Sequence, residues 1–240
     1  MPVPSLRHRY ALIIPALNEE ATIGAQLIQI PAGFFDPIVV VDNGSTDATA
    51  EVAAAAGATV VTEPRRGYGR ACQAGIAALS GEVSAVAFMD ADLSDDPAEL
   101  GPLLQRFEED GLDLLIGSRT LGTAESGSLT PLQRFGNGLS TRLIGLLWNV
   151  RFSDLGPMRV IRREALARLR LRDPTFGWNV EMQASAAALR LKIAEMPVRY
   201  RRRRGGRSKI SGTLTGSVRA GAKILWTIGR CYCAKTSAVP

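Results

Sequence analysis

Phe88-Met89-Asp90-Ala91-Asp92-Leu93-Ser94-Asp95-Asp96-Pro97 closes an apolar run that begins at Val83. A run this short, bounded by polar turns, reads as a strand buried on both faces, and such strands belong to parallel sheets covered by helices. Its end carries two carboxylates, Asp90 and Asp92, one residue apart. Open α/β sheets bind ligands at the carboxyl ends of their strands. Hard oxygen donors at that place suit a divalent cation that keeps waters and binds substrate phosphates, Mg²⁺ or Mn²⁺. A plainer account covers residues 94–97, with Ser94 or Asp95 capping the next helix and Pro97 in its first turn. That account does not explain an acid at the end of an apolar strand.

The same pattern recurs upstream. Tyr10 to Leu17 is an apolar strand, and Asn18-Glu19-Glu20 opens a helix with Asn18 as the expected cap. Ile38 to Val41 is a β-branched strand ending at Asp42, followed by the turn Asn43-Gly44-Ser45-Thr46-Asp47. Acids in the place of Asp42 take ribose or base hydrogen bonds in nucleotide-binding sheets. A helix spans Ala48 to Ala56, a third strand Thr59 to Thr62, and a further helix Ala71 to Leu79. Between them Arg65-Arg66-Gly67-Tyr68-Gly69-Arg70 could let a phosphate approach the backbone, or could be a plain connection. Strands alternating with helices, without hairpin signals, predict an α/β fold with a mainly parallel nucleotide-binding sheet flanked by helices.

Composition narrows the class. The chain has 240 residues, 46% of them hydrophobic, enough for one sizeable domain with a tail. Three cysteines without metal-ligand spacing point to a reducing compartment and away from structural zinc. The one histidine, His8, makes a histidine base improbable. No apolar run reaches the ~18–20 residues that span a bilayer. Residues 1–120 carry 7 Arg and no Lys against 17 Asp and Glu, a net −10, and residues 121–240 carry 22 Lys and Arg against 6 acids, a net +16. An acidic half able to hold a cation is thus followed by a basic half able to meet an anion. That half has few aromatics and no nucleic-acid motif, so no nucleic-acid partner is expected.

In the second half, helix Pro97–Glu109 and strand Asp113–Gly117 precede Ser118-Arg119. Residues 120–133 read as a Gly-, Ser- and Thr-rich loop. Arg134–Val150 and Asn179–Leu189 read as helices, and Ile193–Tyr200 as a strand that Pro197 places at an edge. A stripe through Leu214, Val218, Ala222, Leu225 and Ile228 is an amphipathic C-terminal helix that could dock on the domain or lie on an anionic membrane. The expected organisation is a domain over residues 1–212 and a helical tail over 213–240.

Taken in order, these motifs resemble family 2 glycosyltransferases of GT-A fold, closest to the dolichyl- and polyprenyl-phosphate sugar synthases. The resemblance covers about residues 10–212. It implies that the first strand and turn, with Pro15, Ala16, Asn18 and Glu20, begin to hold a nucleotide sugar, and that Asp42 contacts its base or ribose. Gly67-Tyr68-Gly69-Arg70-Ala71 resembles the family's Gly-Lys-Gly-x-Ala. Tyr68 stands in place of the lysine, and Arg66 or Arg70 is left to supply the phosphate contact. Asp90-Ala91-Asp92 resembles the metal and diphosphate motif, with Asp90 and Asp92 as ligands of Mg²⁺ or Mn²⁺. Arg119 and Arg134 resemble arginines that grip a lipid-phosphate acceptor. Asp154-Leu155-Gly156-Pro157-Met158-Arg159 resembles the segment Asp-x-x-x-Gly-Phe-Arg, one residue shorter, and Gly177 to Met182 resembles a segment around an acidic residue. Arg203, Gly206, Ser208 and Lys209 match Arg-x-x-Gly-x-Ser-Lys, a loop that closes over the donor diphosphate.

The function these features imply is an inverting, metal-dependent transfer of a sugar from a UDP- or GDP-sugar to an anionic acceptor such as polyprenyl phosphate, by a cytoplasmic protein peripheral to the inner face of the plasma membrane. Asp92 acts through the metal. Asp154 or Glu181 is the base if the acceptor is a hydroxyl. Two other classes compete. A sugar-phosphate nucleotidyltransferase needs a basic glycine-rich loop after the first strand, where this chain has Asn18-Glu19-Glu20. A non-catalytic protein binding anionic membranes would leave the acid-terminated strands without a purpose.

Overall fold

The computed structural model describes residues 8–204 and 214–236. Seven strands form one sheet: β1 (Tyr10–Ala16), β2 (Phe35–Asp42), β3 (Thr59–Thr62), β4 (Ala85–Phe88), β5 (Leu114–Ala124), β6 (Arg159–Arg162) and β7 (Ile193–Tyr200). Their order is β3-β2-β1-β4-β6-β5-β7. β1 pairs in parallel with β2 and β4, β2 with β3, and β5 with β7, while β6 runs antiparallel between β4 and β5. The register sets Ala16 opposite Asp42, and Asp42 opposite Thr62. The turns that leave β1, β2 and β3 therefore open on one side, and β4, parallel to β1, delivers Asp90 to that side.

Alternating strand residues feed two cores. Leu12, Ile14, Val40 and Ala87 pack with Leu103, Leu104 and Phe107 of α4 (Leu100–Glu109). Ile13, Val41, Val86 and Phe88 pack with Ala71 and Cys72 of α3 (Tyr68–Ala77) and with Trp178 and Met182 of α7 (Trp178–Ala188). The central strands are apolar on both faces because helices cover both. A third cluster joins Ile144 and Trp148 of α5 (Pro131–Trp148), Val180 and Ala184 of α7, and Ile228 of α8 (Leu214–Thr236). The C-terminal helix thus docks on the domain through Thr227 and Ile228, and leaves Leu225 and Trp226 exposed.

Three expectations need correction, and one strand escapes the sequence reading. Residues 120–124 are strand: the outer half of β5 is exposed and polar, so it carries no apolar signal, yet it pairs with Arg199 and Tyr200 after a register shift. Gly122 sits at that shift, where a Cβ would come within 2.0 Å of the Val198 carbonyl oxygen. β6 escapes sequence reading because only Val160 and Ile161 of its four residues are apolar. The cap after the metal motif is Asp96, which accepts from Ala98 N at 3.1 Å, not Ser94 or Asp95. Asn18 is no cap either: it has a left-handed φ of 53°, and α1 (Glu20–Gln29) starts behind Glu19. His8 is half-buried, with Arg162 Nη1 3.0 Å from its Nε2. Pro197 does lie in an edge strand, β7.

Candidate active site

The Asp90–Leu93 turn is held from below by α1. Thr22 Oγ1 donates to Ala91 O at 3.0 Å, Gln26 Nε2 to Asp90 O at 2.5 Å, and Leu93 N to Gln26 Oε1 at 3.3 Å. Both side chains are buried polar groups on a helix, spent on this one turn. They support Leu93 at a φ of 60°, a conformation costly for a residue with a Cβ. Asp92 Oδ1 accepts from Ser94 N at 2.9 Å and from the Ser94 hydroxyl. Asp92 Oδ2 faces Arg203 Nη2 at 2.7 Å, and Arg203 Nη1 reaches Glu19 Oε1 at 3.1 Å. Burial first, then the charge of Asp92, pushes the Asp90 carboxyl up to about 7, against the pull of Arg119 and Arg203. Asp95 lies behind it, fully buried, accepting from Asp90 N at 3.1 Å. Burial and the Asp90 charge hold its pKa well above the usual carboxylate range.

This donor set fits a hard divalent cation. Two carboxylates meet at a strand end, and one of them is already neutralised by a positive group, the Arg203 guanidinium. Among the described residues no three acidic, histidine or cysteine side chains form a complete cage. Mg²⁺ and Mn²⁺ commonly complete their coordination with substrate phosphates and water.

The turns beside it are tied to one another. Asn18 N donates to Ser45 Oγ at 3.0 Å, and Thr46 N to Asn18 Oδ1 at 2.8 Å. Ala48 N donates to Glu20 Oε2 at 2.9 Å. Asp42 Oδ1 accepts from Ser45 N at 3.0 Å. Asn43 Oδ1 accepts from Gly67 N at 2.7 Å, while its Nδ2 donates to Glu63 O at 2.9 Å. Pro15 and Ala16 complete the end of β1. Gly67 and Gly69 are required by close approach: a Cβ on either would lie 2.2 or 2.0 Å from the carbonyl oxygens of Pro174 and Asp173. Arg70 N donates to that Pro174 oxygen at 3.1 Å. Tyr68, in the place of the family lysine, turns inward. Its hydroxyl is buried, close enough to Asp90 to lower that carboxyl's pKa.

On β5, separated from β4 by β6, Arg119 makes three bonds to Asp154: its backbone N and its Nε to Oδ2, and its Nη2 to Oδ1, all at 2.8 Å. Its guanidinium also lies 5.0 Å from the Tyr200 ring centre. Burial disfavours charge on both partners, but their mutual bonds outweigh it: Asp154 is held below the ordinary carboxylate range and Arg119 above the ordinary guanidinium range. Asp154 is fully buried and both its oxygens are engaged, so the structure makes it an anchor for Arg119 rather than a free base. Glu181 is also occupied. It accepts from the amides of Arg172 and Asp173 at 2.9 and 2.6 Å and from Arg230 of α8 at 2.6 Å, clamping the segment that covers Gly67 and Gly69. Arg134 is exposed in the first turn of α5, one turn before Asn137, whose Nδ2 reaches Ser153 O at 3.1 Å.

The basic run after β7 lies along the acidic turn instead of trailing in solvent. Arg201 N donates to Ser94 O at 2.7 Å, Arg201 Nη2 meets Asp96 at 2.6 Å, and Arg199 Nε meets Glu99 at 2.6 Å. Ser208 and Lys209 lie outside the described residues. Sequence reasoning missed Thr22, Gln26, Asp95, Asn137, Arg159 and Glu195. Arg159 is fully buried beneath the site, and burial draws its pKa down to about 10. The available signal was a run of polar residues at helical spacing in α1, Thr22 and Gln26, on its buried face.

A mainly parallel sheet that gathers acids at its strand ends, with one antiparallel strand inserted beside them, is the architecture of the GT-A glycosyltransferases. The chain belongs to glycosyl transferase family 2, whose model matches residues 11–170. It is 41% identical over 208 residues to an uncharacterized glycosyltransferase of Mycobacterium tuberculosis, covering 86% of this chain and 92% of that one. It is 34% identical over 199 residues to the dolichyl-phosphate hexose transferase of Haloferax volcanii, covering 81% and 84%. Among solved structures, glucosyl-3-phosphoglycerate synthase of Mycobacterium tuberculosis, in complex with Mn²⁺, UDP and phosphoglyceric acid, superposes with a TM-score of 0.74 at 25% identity, covering 98% of this chain and 80% of that one. Among the described residues no helix is long and apolar enough to cross a membrane.

Proposed function

We propose that this glycosyltransferase moves a hexose from a UDP-sugar to a phosphate-bearing acceptor of the polyprenyl phosphate class. The observation that carries the reading is the Asp154-held Arg119 fork on β5, near enough to the metal motif for its charge to act on Asp90. A planar guanidinium held by two side-chain bonds keeps further N–H donors for a phosphate. The donor lies across the ends of β1, β2 and β4, its base and ribose at Asp42 and its diphosphate at the Asp90–Asp92 turn. Asp90 and Asp92 would hold Mg²⁺ or Mn²⁺, which would supply Lewis-acid stabilisation of the departing nucleoside diphosphate. Arg203 adds positive charge to the same leaving group.

In a single in-line displacement, an acceptor phosphate oxygen forms the new bond at the anomeric carbon. The bond to the diphosphate breaks with its electron pair leaving on the nucleotide, and the configuration inverts. The nucleophile is already an anion, so no general base is needed, in keeping with the engagement of Asp154 and Glu181. Likeness to a dolichyl-phosphate hexose transferase supports the lipid acceptor. Likeness to a synthase crystallised with phosphoglyceric acid supports a second reading, a soluble phosphorylated acid at the same arginine.

Calorimetric titration with UDP and GDP, with and without Mn²⁺, tests the donor half. Transfer of labelled hexose from UDP-glucose to undecaprenyl phosphate or to 3-phosphoglycerate tests the acceptor half. Metal-dependent UDP binding with lipid labelling supports the reading. Labelling of 3-phosphoglycerate alone moves the acceptor to the second, and no nucleotide binding by the folded protein overturns both.

A further inference from the structure

Glu195, on the edge strand β7, stands opposite Ile116 of β5. Its carboxylate faces the segment that carries Asp154. Oε2 accepts from Ser153 N at 2.8 Å, and Oε1 from Asp154 N at 3.1 Å and from Ser153 N at 3.0 Å. Among the described residues no lysine or arginine pairs with this carboxylate. Burial raises its pKa, and the two amides pull it back only in part. Its other side borders a cavity of about 600 Å³, also lined by Arg151 and Arg190, where water can reach it.

An uncompensated carboxylate in a half-buried place is costly unless its bonds do something an apolar side chain could not. Here they orient one peptide segment. Ser153 O and Leu155 N are taken by Asn137, and Asp154 O by Gln183 Nε2. With Glu195 on the two amides, the polar backbone groups of Ser153 and Asp154 are all engaged, and the segment is fixed where the Asp154 side chain meets Arg119.

We propose that Glu195 is a positioning residue for the acceptor: it grips the Ser153 and Asp154 amides and so sets the carboxylate that aims Arg119. The inference rests on Arg119 as the acceptor's phosphate contact. It assigns Glu195 an effect on acceptor recognition with no effect on the donor, although the two sites share one sheet.

Glu195→Gln tests it, since the amide keeps the shape but turns an NH₂ toward one of the two N–H donors. Acceptor KM should rise roughly tenfold, the size of one lost charge-assisted hydrogen bond. Donor KM and Mn²⁺-dependent UDP binding should stay within about twofold, the scatter of an uncoupled site. Combined with Asp154→Asn, the effects on acceptor KM should fall short of additive, because both act through the aim of one guanidinium. Glu195→Asp, which retains the charge, should lie between wild type and Glu195→Gln, and it serves in place of the amide variant if that one does not fold. With a wild type that transfers, equal shifts in donor and acceptor KM, full additivity, or an unchanged acceptor KM in Glu195→Gln overturns the proposal. A wild type that binds UDP and Mn²⁺ but saturates with neither undecaprenyl phosphate nor 3-phosphoglycerate removes the acceptor reading itself, and Glu195's role with it.

Discussion

Arg203 occupies the open side of Asp92: its Nη2 lies 2.7 Å from Asp92 Oδ2, while Nη1 holds Glu19 at 3.1 Å. Arg203 therefore stands on the carboxylate proposed to bind the metal. A cation approaching Asp92 must displace it, and a diphosphate arriving with that cation offers it a new partner. Removing the side chain separates these effects. Arg203→Ala should bind Mn²⁺ alone more tightly than wild type, because a competing charge is gone, and should bind UDP with Mn²⁺ more weakly. The loss for UDP should be ~10–100-fold, the ~1.5–3 kcal/mol of a charged hydrogen bond. Calorimetry of the two titrations checks both signs, and a fall in both affinities would show that Arg203 does not compete for Asp92.

Asp92→Asn should abolish Mn²⁺-dependent UDP binding and transfer and leave the melting temperature close to wild type. The turn keeps its shape because an amide oxygen can still accept from Ser94 N. What is lost is the charge. Unchanged turnover in this variant would remove Asp92 from the metal site.

Gly69→Ala places a methyl group 2.0 Å from the Asp173 carbonyl oxygen, backbone that cannot swing aside like a side-chain end. Overpacking of this kind costs about 1–3 kcal/mol. The displaced segment carries Asp173, which Lys223 and Thr227 of α8 hold at 3.0 and 3.2 Å. The variant should therefore melt at lower temperature and loosen the C-terminal helix. Proteolysis within α8 should be faster than in wild type, which limited digestion followed by mass spectrometry would record.

Much of this site is legible in the sequence because its acids end apolar runs. Asp42 and Asp90 each follow a strand whose burial leaves a carboxylate no structural purpose, and the parallel sheet brings both to one side. What escapes is polar chemistry without a local pattern. Glu195 lies inside a strand like any half-exposed polar residue, and its partners are 41 and 42 positions away. Gln26 reads as one polar residue on an amphipathic helix until the turn it supports is seen. Arg159 lies in a strand of four residues, too short to show alternation. The acidic partners of the basic run at 199–204 are not legible, because Asp96 and Glu99 lie about a hundred residues earlier. Asp154 and Glu181 fit the place of a base by residue type, and only their bonds show both to be occupied.

The Arg119–Asp154 pair predicts an asymmetry in stability. Asp154→Ala leaves a guanidinium with 14% side-chain exposure beside a hole, a group that does not lose its proton to escape the cost. Breaking a buried pair in this way costs about 3–5 kcal/mol. Arg119→Ala leaves a carboxylate that still accepts from Arg119's own backbone N–H and from Leu155 N at 2.8 Å each, and that can take up a proton. Its cost should be smaller. The pH dependence follows from the same pair. Asp154 titrates lower in the folded chain than in the unfolded one, so its contribution is complete above the unfolded value, about 3.9. That contribution is lost as pH falls through the folded value. Urea unfolding from pH 7 down to pH 2 should show wild type losing stability more steeply below about pH 4 than Asp154→Asn, which has no proton to take up at this position. Parallel acid limbs for the two proteins would mean that the pair contributes nothing to the fold and that Arg119 is held by its packing on Tyr200 alone.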